Sequence, residues 1–385
     1  MRILFISSAL HKEFGGPPVA VLGAALSLAN LGHQVTVFVF GQSRVSVSSN
    51  NDFYEKLKSE RIEVIIAKSW KTRVYGGIGS ISDIGNLFNK LKSNDIVSMH
   101  QVYNYQNIVS TLFCLITKTP FTVMPHGTLT KYQKKNHFLR KLLVRQIFVG
   151  FVLMRARAIF VATQIEKDEI NHSLKPKTVV VGLGVPIPEI SKSIEEYESG
   201  KDFFIFLYMG RIAPKKRLDI AIEAFYCLPK EVRTCSKLVI CGSGDSDYIE
   251  SMVDRVKKLS IADRVDFKGW VSAEEKSMIL NNSDCFLLTS EDENFAIAAG
   301  EALAYGVPCI LSTQVALSSL VEKYNAGKVF SKLDPSSISK DMLNVFNSDT
   351  NEMRKRALLA SEELNWKFVS TKWELALTRH IGNSK

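Results

Sequence analysis

The chain has 385 residues, 46% of them hydrophobic and 23% charged, with 22 glycines and 11 prolines. That much apolar material excludes a disordered chain, and at about 100–200 residues per domain the length predicts two domains of similar size. No apolar run approaches the roughly 20 residues of a membrane-spanning helix. The six cysteines form no C-x-x-C pair, which points to reduced, buried thiols and away from a disulfide or zinc framework. The net charge of +10 is uneven: residues 1–190 hold 23 Lys and Arg against 11 Asp and Glu, and the remainder holds 26 against 28. An anionic partner for the N-terminal half is implied.

In chain order the pattern is strand, turn, helix, repeated. The start, Met1-Arg2 and then Ile3 to Leu10, resembles a signal peptide but lacks a small-residue cleavage site and runs on into His11-Lys12-Glu13. It reads as a first strand over Arg2–Ser7. Phe14-Gly15-Gly16-Pro17-Pro18 makes a turn, followed by a predicted helix from Val19 to Leu31 and a second strand at Val35–Phe40. Glu63–Ala67, Asp95–Met99, Phe121–Met124, Ala158–Ala162 and Thr178–Val181 continue the series. These runs are continuous in Val, Ile and Phe, as strands buried on both faces of a parallel sheet are.

A linker is predicted near 185–200, where Gly182 to Pro188 precedes an acidic stretch. The same grammar then restarts at Phe203–Met209, Lys237–Cys241, Val265–Lys268, Cys285–Thr289 and Pro308–Leu311. Ser361 to His380, with Trp366 and Trp373, reads as a helix whose tryptophans share one face as packing anchors. The fold class is α/β, two doubly wound Rossmann-like domains facing across a cleft, with ligand at the carboxyl ends of the strands.

Three segments carry chemistry. In Leu288 to Pro308 a strand ends, three acids cluster, Asn294 can cap, and a helix is predicted from Phe295. Its first amides lack intrahelical partners and attract anions. Glu293 and Glu301 would repel phosphate, so their use is to accept hydrogen bonds from sugar hydroxyls; a capped surface helix with solvated acids has the same pattern. Met209-Gly210-Arg211 to Asp219 follows the first strand of the second half, where Arg211 can grip a phosphate with two parallel bonds. A solvated basic turn is the plainer reading. Gly15 and Gly16 let the backbone approach a pyrophosphate, although G-x-G-x-x-G is absent. Gly242-Ser-Gly244 is more often only a turn, and Asp245-Ser-Asp247 is better read as a helix cap than as a metal motif.

Together, Gly-Gly-Pro after strand one, Gly210-Arg211 with Lys216 and Asp219, and Glu293-x7-Glu301 within Glu-Asn-Phe…Glu-Ala-Leu-Ala-x-Gly-Val-Pro resemble family 4 glycosyltransferases over nearly the whole chain. The resemblance implies a GT-B fold with an acceptor domain over 1–185, a donor domain over 200–360, and a C-terminal helix, 361–385, crossing back to the first domain. It implies retaining, metal-independent transfer of a sugar, a hexose by expectation, from a nucleoside-diphosphate donor, with no cofactor. By that resemblance Arg211 and Lys216 neutralise the diphosphate, Glu301 holds the ribose and Glu293 contacts the sugar. Gly15, Gly16, Asn294, Phe295 and Ala296 complete the donor site. Two departures matter. Ala296 stands where the family often has Gly, and Arg217 stands where Gly commonly follows the lysine, which leaves the choice among Lys215, Lys216 and Arg217 open.

His126, in Met-Pro-His-Gly after a strand, is the expected sugar-contacting histidine, and His100 is placed on the acceptor side. A structural histidine capping a strand end is the plain alternative for each. The acid-free stretch Lys131 to Arg157, with Lys134, Lys135, Arg140, Lys141 and Arg145 among interleaved apolar residues, reads as a basic amphipathic helix for an anionic membrane surface. An ordinary domain helix is again the alternative. No recognition module for nucleic acid accompanies the charge.

The expectation is therefore a cytoplasmic enzyme, peripheral on the inner face of the membrane, extending a glycan or lipid-linked glycan acceptor in O-antigen, capsule or exopolysaccharide assembly. A nucleotide-sugar 2-epimerase of the same fold and a non-catalytic nucleotide-sugar-binding partner are the alternatives. Specificity is assigned to the loops Arg44–Lys58 and Lys68–Ser82.

Overall fold

The structure is a computed structural model that describes residues 1–11, 15–40, 52–67, 81–130, 148–188 and 202–381. The chain divides into two compact units, Met1–Gly184 with Trp366–Lys385, and Val185–Asn365.

The first unit is built on β1 (Arg2–Ser7), β2 (Gln34–Val39), β3 (Glu63–Ile66), β4 (Ile96–His100), β5 (Phe121–Met124), β6 (Ala158–Val161) and β7 (Thr178–Val180). They form an all-parallel sheet in the order β3-β2-β1-β4-β5-β6-β7. Successive side chains alternate between faces. Leu4, Ile6, Val97, Met99, Val123 and Ile159 enter one core. Phe5 pairs in register with Ser98 on the opposite face. There Phe5, His100 and Phe160 meet Trp373 from the helix Trp366–Ile381. Trp373 is fully buried, and its indole N–H donates to the Gly182 carbonyl at 3.1 Å. Residues 361–365 stay with the second unit, and the helix that packs on the first unit starts at Trp366.

The first helix spans Gly16–Asn30 and so begins three residues before the expected Val19. Its prolines occupy the first turn, where a missing N–H costs no intrahelical bond. A Cβ on Gly23 of this helix, or on Gly184, would run into the Trp366 indole, so glycine is set there by close approach.

The second unit contains β8 (Phe204–Met209), β9 (Ser236–Cys241), β10 (Val265–Gly269), β11 (Cys285–Leu288), β12 (Cys309–Ser312) and β13 (Gly327–Phe330). The order is β10-β9-β8-β11-β12-β13, again parallel throughout. The sequence did not mark β13, a four-residue edge strand that starts at a glycine and buries only Phe330 fully. Strand order reverses between β1 and β4 in the first sheet and between β8 and β11 in the second. Open parallel sheets bind ligands at such points.

Residues 131–147, with Lys134, Lys135, Arg140, Lys141 and Arg145, lie outside the described residues, as do 44–51 and 68–80 of the two specificity loops. The helical residues 148–155 bury Val149, Val152 and Leu153 in the core and expose Phe148 and Met154. All six cysteines are free; Cys227 and Cys235 are exposed and the other four buried. Among the described residues no helix is long and apolar enough to cross a membrane.

Candidate active site

In the second unit the site grows from the carboxyl ends of the neighbouring strands β8 and β11. The loop after β8 passes through Gly210 and Arg211 into a single turn, Pro214–Lys216. The residues after β11 hold that loop. Thr289 Oγ1 donates to the carbonyls of Lys216 (3.2 Å) and Arg217 (2.6 Å). The Glu291 amide reaches the Lys215 carbonyl at 3.0 Å. A Cβ on Gly242 would collide with the Gly210 carbonyl, and one on Gly244 with that of Ile212. The Gly-Ser-Gly turn after β9 is thus fully accounted for by backbone packing against the Arg211 loop.

The basic cluster sorts itself by partner. Arg217, in left-handed backbone at φ 50°, is consumed by Asp219 (2.9 Å) and Glu291 (2.8 Å), which raise its already high pKa further. Lys215 lies 3.7 Å from Asp292. Lys216 forms an ion pair with Glu293, both side chains mostly buried at 13% and 19% exposure. Burial pulls the Lys216 ammonium below the usual lysine range, Lys215 and Arg211 push the same way, and Asp292 opposes them. The Glu293 carboxylate in contact opposes them too. Arg211 is exposed and forms no ion pair with any described residue. Of the three cations among which the sequence left the choice open, Arg217 is the one held by two carboxylates, while Lys215 and Lys216 each face one.

The helix carrying the second glutamate spans Ile297–Ala304, two residues later than expected. Asn294 does not cap it; its Oδ1 is buried with no partner among the described residues. The capping position belongs to Ala296, which sits at φ 66°, ψ 65° and offers no side-chain cap. That left-handed conformation strains any residue with a Cβ, which is the physical reason a glycine suits this position. The Ile297 and Ala298 amides bond to no described residue, as first-turn amides commonly do, whereas that of Ala299 reaches the Ala296 carbonyl at 2.9 Å. Glu301 accepts from Lys276 Nζ at 2.5 Å, a partner on the helix Ala273–Asn282 that sequence reasoning missed. Asp245 caps the helix Ser246–Lys258 by accepting from the Tyr248 amide at 3.2 Å.

In the first unit, Gly15 is the N-cap of the first helix at φ 78°, and Gly16 opens it. His126, at φ 54°, follows β5, and Gln101, at φ 67°, follows β4. Strained backbone of this kind gathers at functional sites. His100 Nδ1 lies 2.8 Å from His126 Nε2. Burial keeps the His100 imidazole well below the usual histidine range, with His126 adding to the effect, and burial likewise pushes His126 down to about 3. His100 is 1% exposed beneath Phe5 and Trp373. Where the sequence placed it on the acceptor side, its ring instead faces Ser98 and His126 inside the first unit.

Two further residues escaped the sequence reading. The buried carboxylate of Glu166 accepts from the amides of Gly127 (2.6 Å) and Ala162 (3.0 Å), fixing the turn that carries His126. Its signal was the Thr163-x-x-Glu166 spacing of a helix start. Gln101 ties the loop after β4 together, taking the Asn104 side-chain amide on Oε1 at 2.9 Å. Among the described residues no group of three or more His, Cys, Asp or Glu side chains is arranged to hold a metal ion.

Two Rossmann-like units, each with its candidate residues at a switch point between parallel strands, define a protein of the GT-B fold. The family model described as "Glycosyl transferases group 1" matches residues 189–360. That segment carries Arg211, Lys216, Glu293 and Glu301.

Mannosylfructose-phosphate synthase of Agrobacterium fabrum is 28% identical over 132 residues, 33% of this chain and 29% of that protein, so the match spans under a third of it. Alpha-monoglucosyldiacylglycerol synthase of Streptococcus pneumoniae is 20% identical over 348 residues, 86% of this chain and 75% of that protein. The structure of Anabaena HepE in complex with UDP and glucose matches with a TM-score of 0.76 at 16% identity, covering 98% of this chain and 99% of that one. These relations favour sugar transfer over the epimerase alternative.

Proposed function

We propose that this chain is a retaining, metal-independent glycosyltransferase that moves a hexose from a nucleoside-diphosphate donor to a glycan acceptor carried on a lipid, in surface polysaccharide assembly. The observation that carries this reading is the Lys216–Glu293 pair. A mostly buried ammonium, an open Arg211 and the unpartnered amides of the Ile297 helix make a cationic site at the β8/β11 switch point. A diphosphate outcompetes Glu293 for Lys216, and the released carboxylate then accepts from sugar hydroxyls. Glu301 takes the ribose hydroxyls, and the buried Asn294 Oδ1 gains a donor from the ligand. By the family resemblance, Gly15 and Gly16 serve the phosphate, and His126 serves the sugar.

In the reaction the acceptor oxygen bonds to the anomeric carbon on the face from which the diphosphate leaves. The bond from that carbon to the diphosphate oxygen breaks, and the acceptor's proton passes to the departing phosphate. No protein nucleophile takes part. The burden on the protein is to stabilise growing negative charge on the diphosphate, which Arg211, Lys216 and helix amides do. The nucleotide sugar is a substrate, and no cofactor is used.

A lipid-borne acceptor and an anionic membrane surface on the cytoplasmic side are supported by the basic stretch Lys131 to Arg157 and by the diacylglycerol product named in the pneumococcal relative. Phe148 and Met154, 44% and 67% exposed at the end of that stretch, add apolar surface. A thermal-shift panel of UDP and GDP sugars without added metal tests the reaction class. One of them stabilises the protein, by about 2.7 kcal/mol at 100 times its dissociation constant, and Glu301→Ala abolishes the effect; protection retained in that variant refutes the ribose assignment. Replacing Lys134, Lys135, Arg140 and Lys141 by Gln reduces sedimentation with anionic liposomes, and unchanged sedimentation removes the membrane role.

A further inference from the structure

His126 is the outer member of a buried hydrogen-bonded chain. Ser98 Oγ lies 3.4 Å from His100 Nε2, and His100 Nδ1 lies 2.8 Å from His126 Nε2. Ser98 is fully buried. His100 stacks on Trp373 with ring centroids 6.1 Å apart and planes 8° from parallel. Trp373 is held in turn by the Gly182 carbonyl and by the edge contact with Phe160. Ser98, His100 and Trp373 are all packed inside the first unit.

Two uncharged imidazoles joined by one hydrogen bond share a single proton between the facing nitrogens, so their tautomers are locked together. Ser98 decides between the two arrangements. Among the described residues its hydroxyl has one partner, His100 Nε2. A proton on that nitrogen would leave the hydroxyl hydrogen unpaired in a fully buried place, which is costly. Ser98 therefore donates to His100 Nε2, His100 donates from Nδ1 to His126 Nε2, and His126 keeps its proton on Nδ1. That nitrogen bonds to no described residue.

We infer that His100, with Ser98 behind it and Trp373 beneath it, is a positioning residue that fixes His126 as a hydrogen-bond donor, presenting Nδ1–H to an oxygen of the donor substrate. The inference rests on the reading that His126 meets the donor sugar. It assigns the C-terminal helix, through Trp373, a part in holding the site. It also removes His126 as a base for the acceptor's proton, because the free position on its ring already carries hydrogen.

The test uses the full chain with the nucleotide sugar that protects it in the thermal-shift panel. His100→Phe keeps a ring over Trp373 but loses the donor, and His100→Asn returns an N–H near the place of Nδ1. The expected result is a fall in kcat of at least tenfold for His100→Phe with donor Kd within threefold of wild type, and recovery to within threefold in His100→Asn. Nitrogen-15 spectra of histidine-labelled wild-type protein show His126 protonated on Nδ1 only, and His100→Phe shows a mixture of tautomers. Wild-type turnover in His100→Phe, or a wild-type His126 protonated on Nε2, overturns the inference. If His126→Ala is inactive while His100→Phe matches wild type, only this inference fails. A wild-type protein that transfers sugar from no donor fails the proposed function itself, and the spectra still decide the tautomer.

Discussion

Replacing His100 by phenylalanine removes an imidazole that the folded first unit keeps uncharged. The unfolded chain binds a proton there below a pKa of about 6.5, whereas the folded one, with this ring buried, does not. Stability is therefore unaffected above that pH and is lost as pH falls below it, at about 1.4 kcal/mol per pH unit. At pH 5, roughly 1.5 units down, His100 alone costs about 2 kcal/mol. For a unit of 204 residues (184 from Met1–Gly184 and 20 from Trp366–Lys385) this is a Tm shift of about 4–8 °C. Calorimetric scans near pH 7.5 and near pH 5 measure it. The acid-induced drop in Tm of the first unit is larger in wild type than in His100→Phe by that amount, and carboxylate effects common to both cancel in the comparison. Equal drops in the two proteins would show that His100 is free to protonate in the native state and would refute the reasoning.

The cation assignments separate in the same way. Lys216→Met weakens nucleotide binding in calorimetric titration by roughly 10–150-fold, the equivalent of one charge-assisted hydrogen bond of about 1.5–3 kcal/mol. Arg217→Gln leaves that affinity within a few fold and instead destabilises the second unit by about 1–2 kcal/mol, since its guanidinium is already used by Asp219 and Glu291. Ala296→Gly relieves left-handed strain and raises stability by about 0.5–1 kcal/mol, seen as a rise in urea midpoint. Gly242→Ala forces the Gly210 carbonyl away; it lowers the Tm of the second unit and weakens nucleotide binding together, whereas a change in neither would mean the two loops can part freely.

Much of the architecture was open to inspection in the residues alone. Strands at Arg2–Ser7 and Phe121–Met124 match their expected limits, because a run apolar on both faces has no stable alternative to the interior of a parallel sheet. The glycines, the Arg211–Lys216 loop and the two glutamates stood out as candidates because turns, anions and hydroxyls each require particular residue types close together in the chain. Strand β13 was not recognisable, since an edge strand with one buried side chain at its end lacks that signature.

Long-range partners lay beyond the reach of any local pattern. Nothing near His100 announces Trp373, 273 positions later, nor does anything near Arg217 announce Glu291. Local order alone determined where the chain bends, which runs enter the sheets and which segments could meet an anion. Only the tertiary fold decided that Arg217 is held by Asp219 and Glu291, that Asn294 is buried and not a cap, and that His100 lies against His126. Hydrophobic burial acts on each segment by itself, whereas an ion pair or a shared proton exists only once two distant atoms are brought within about 3 Å of each other.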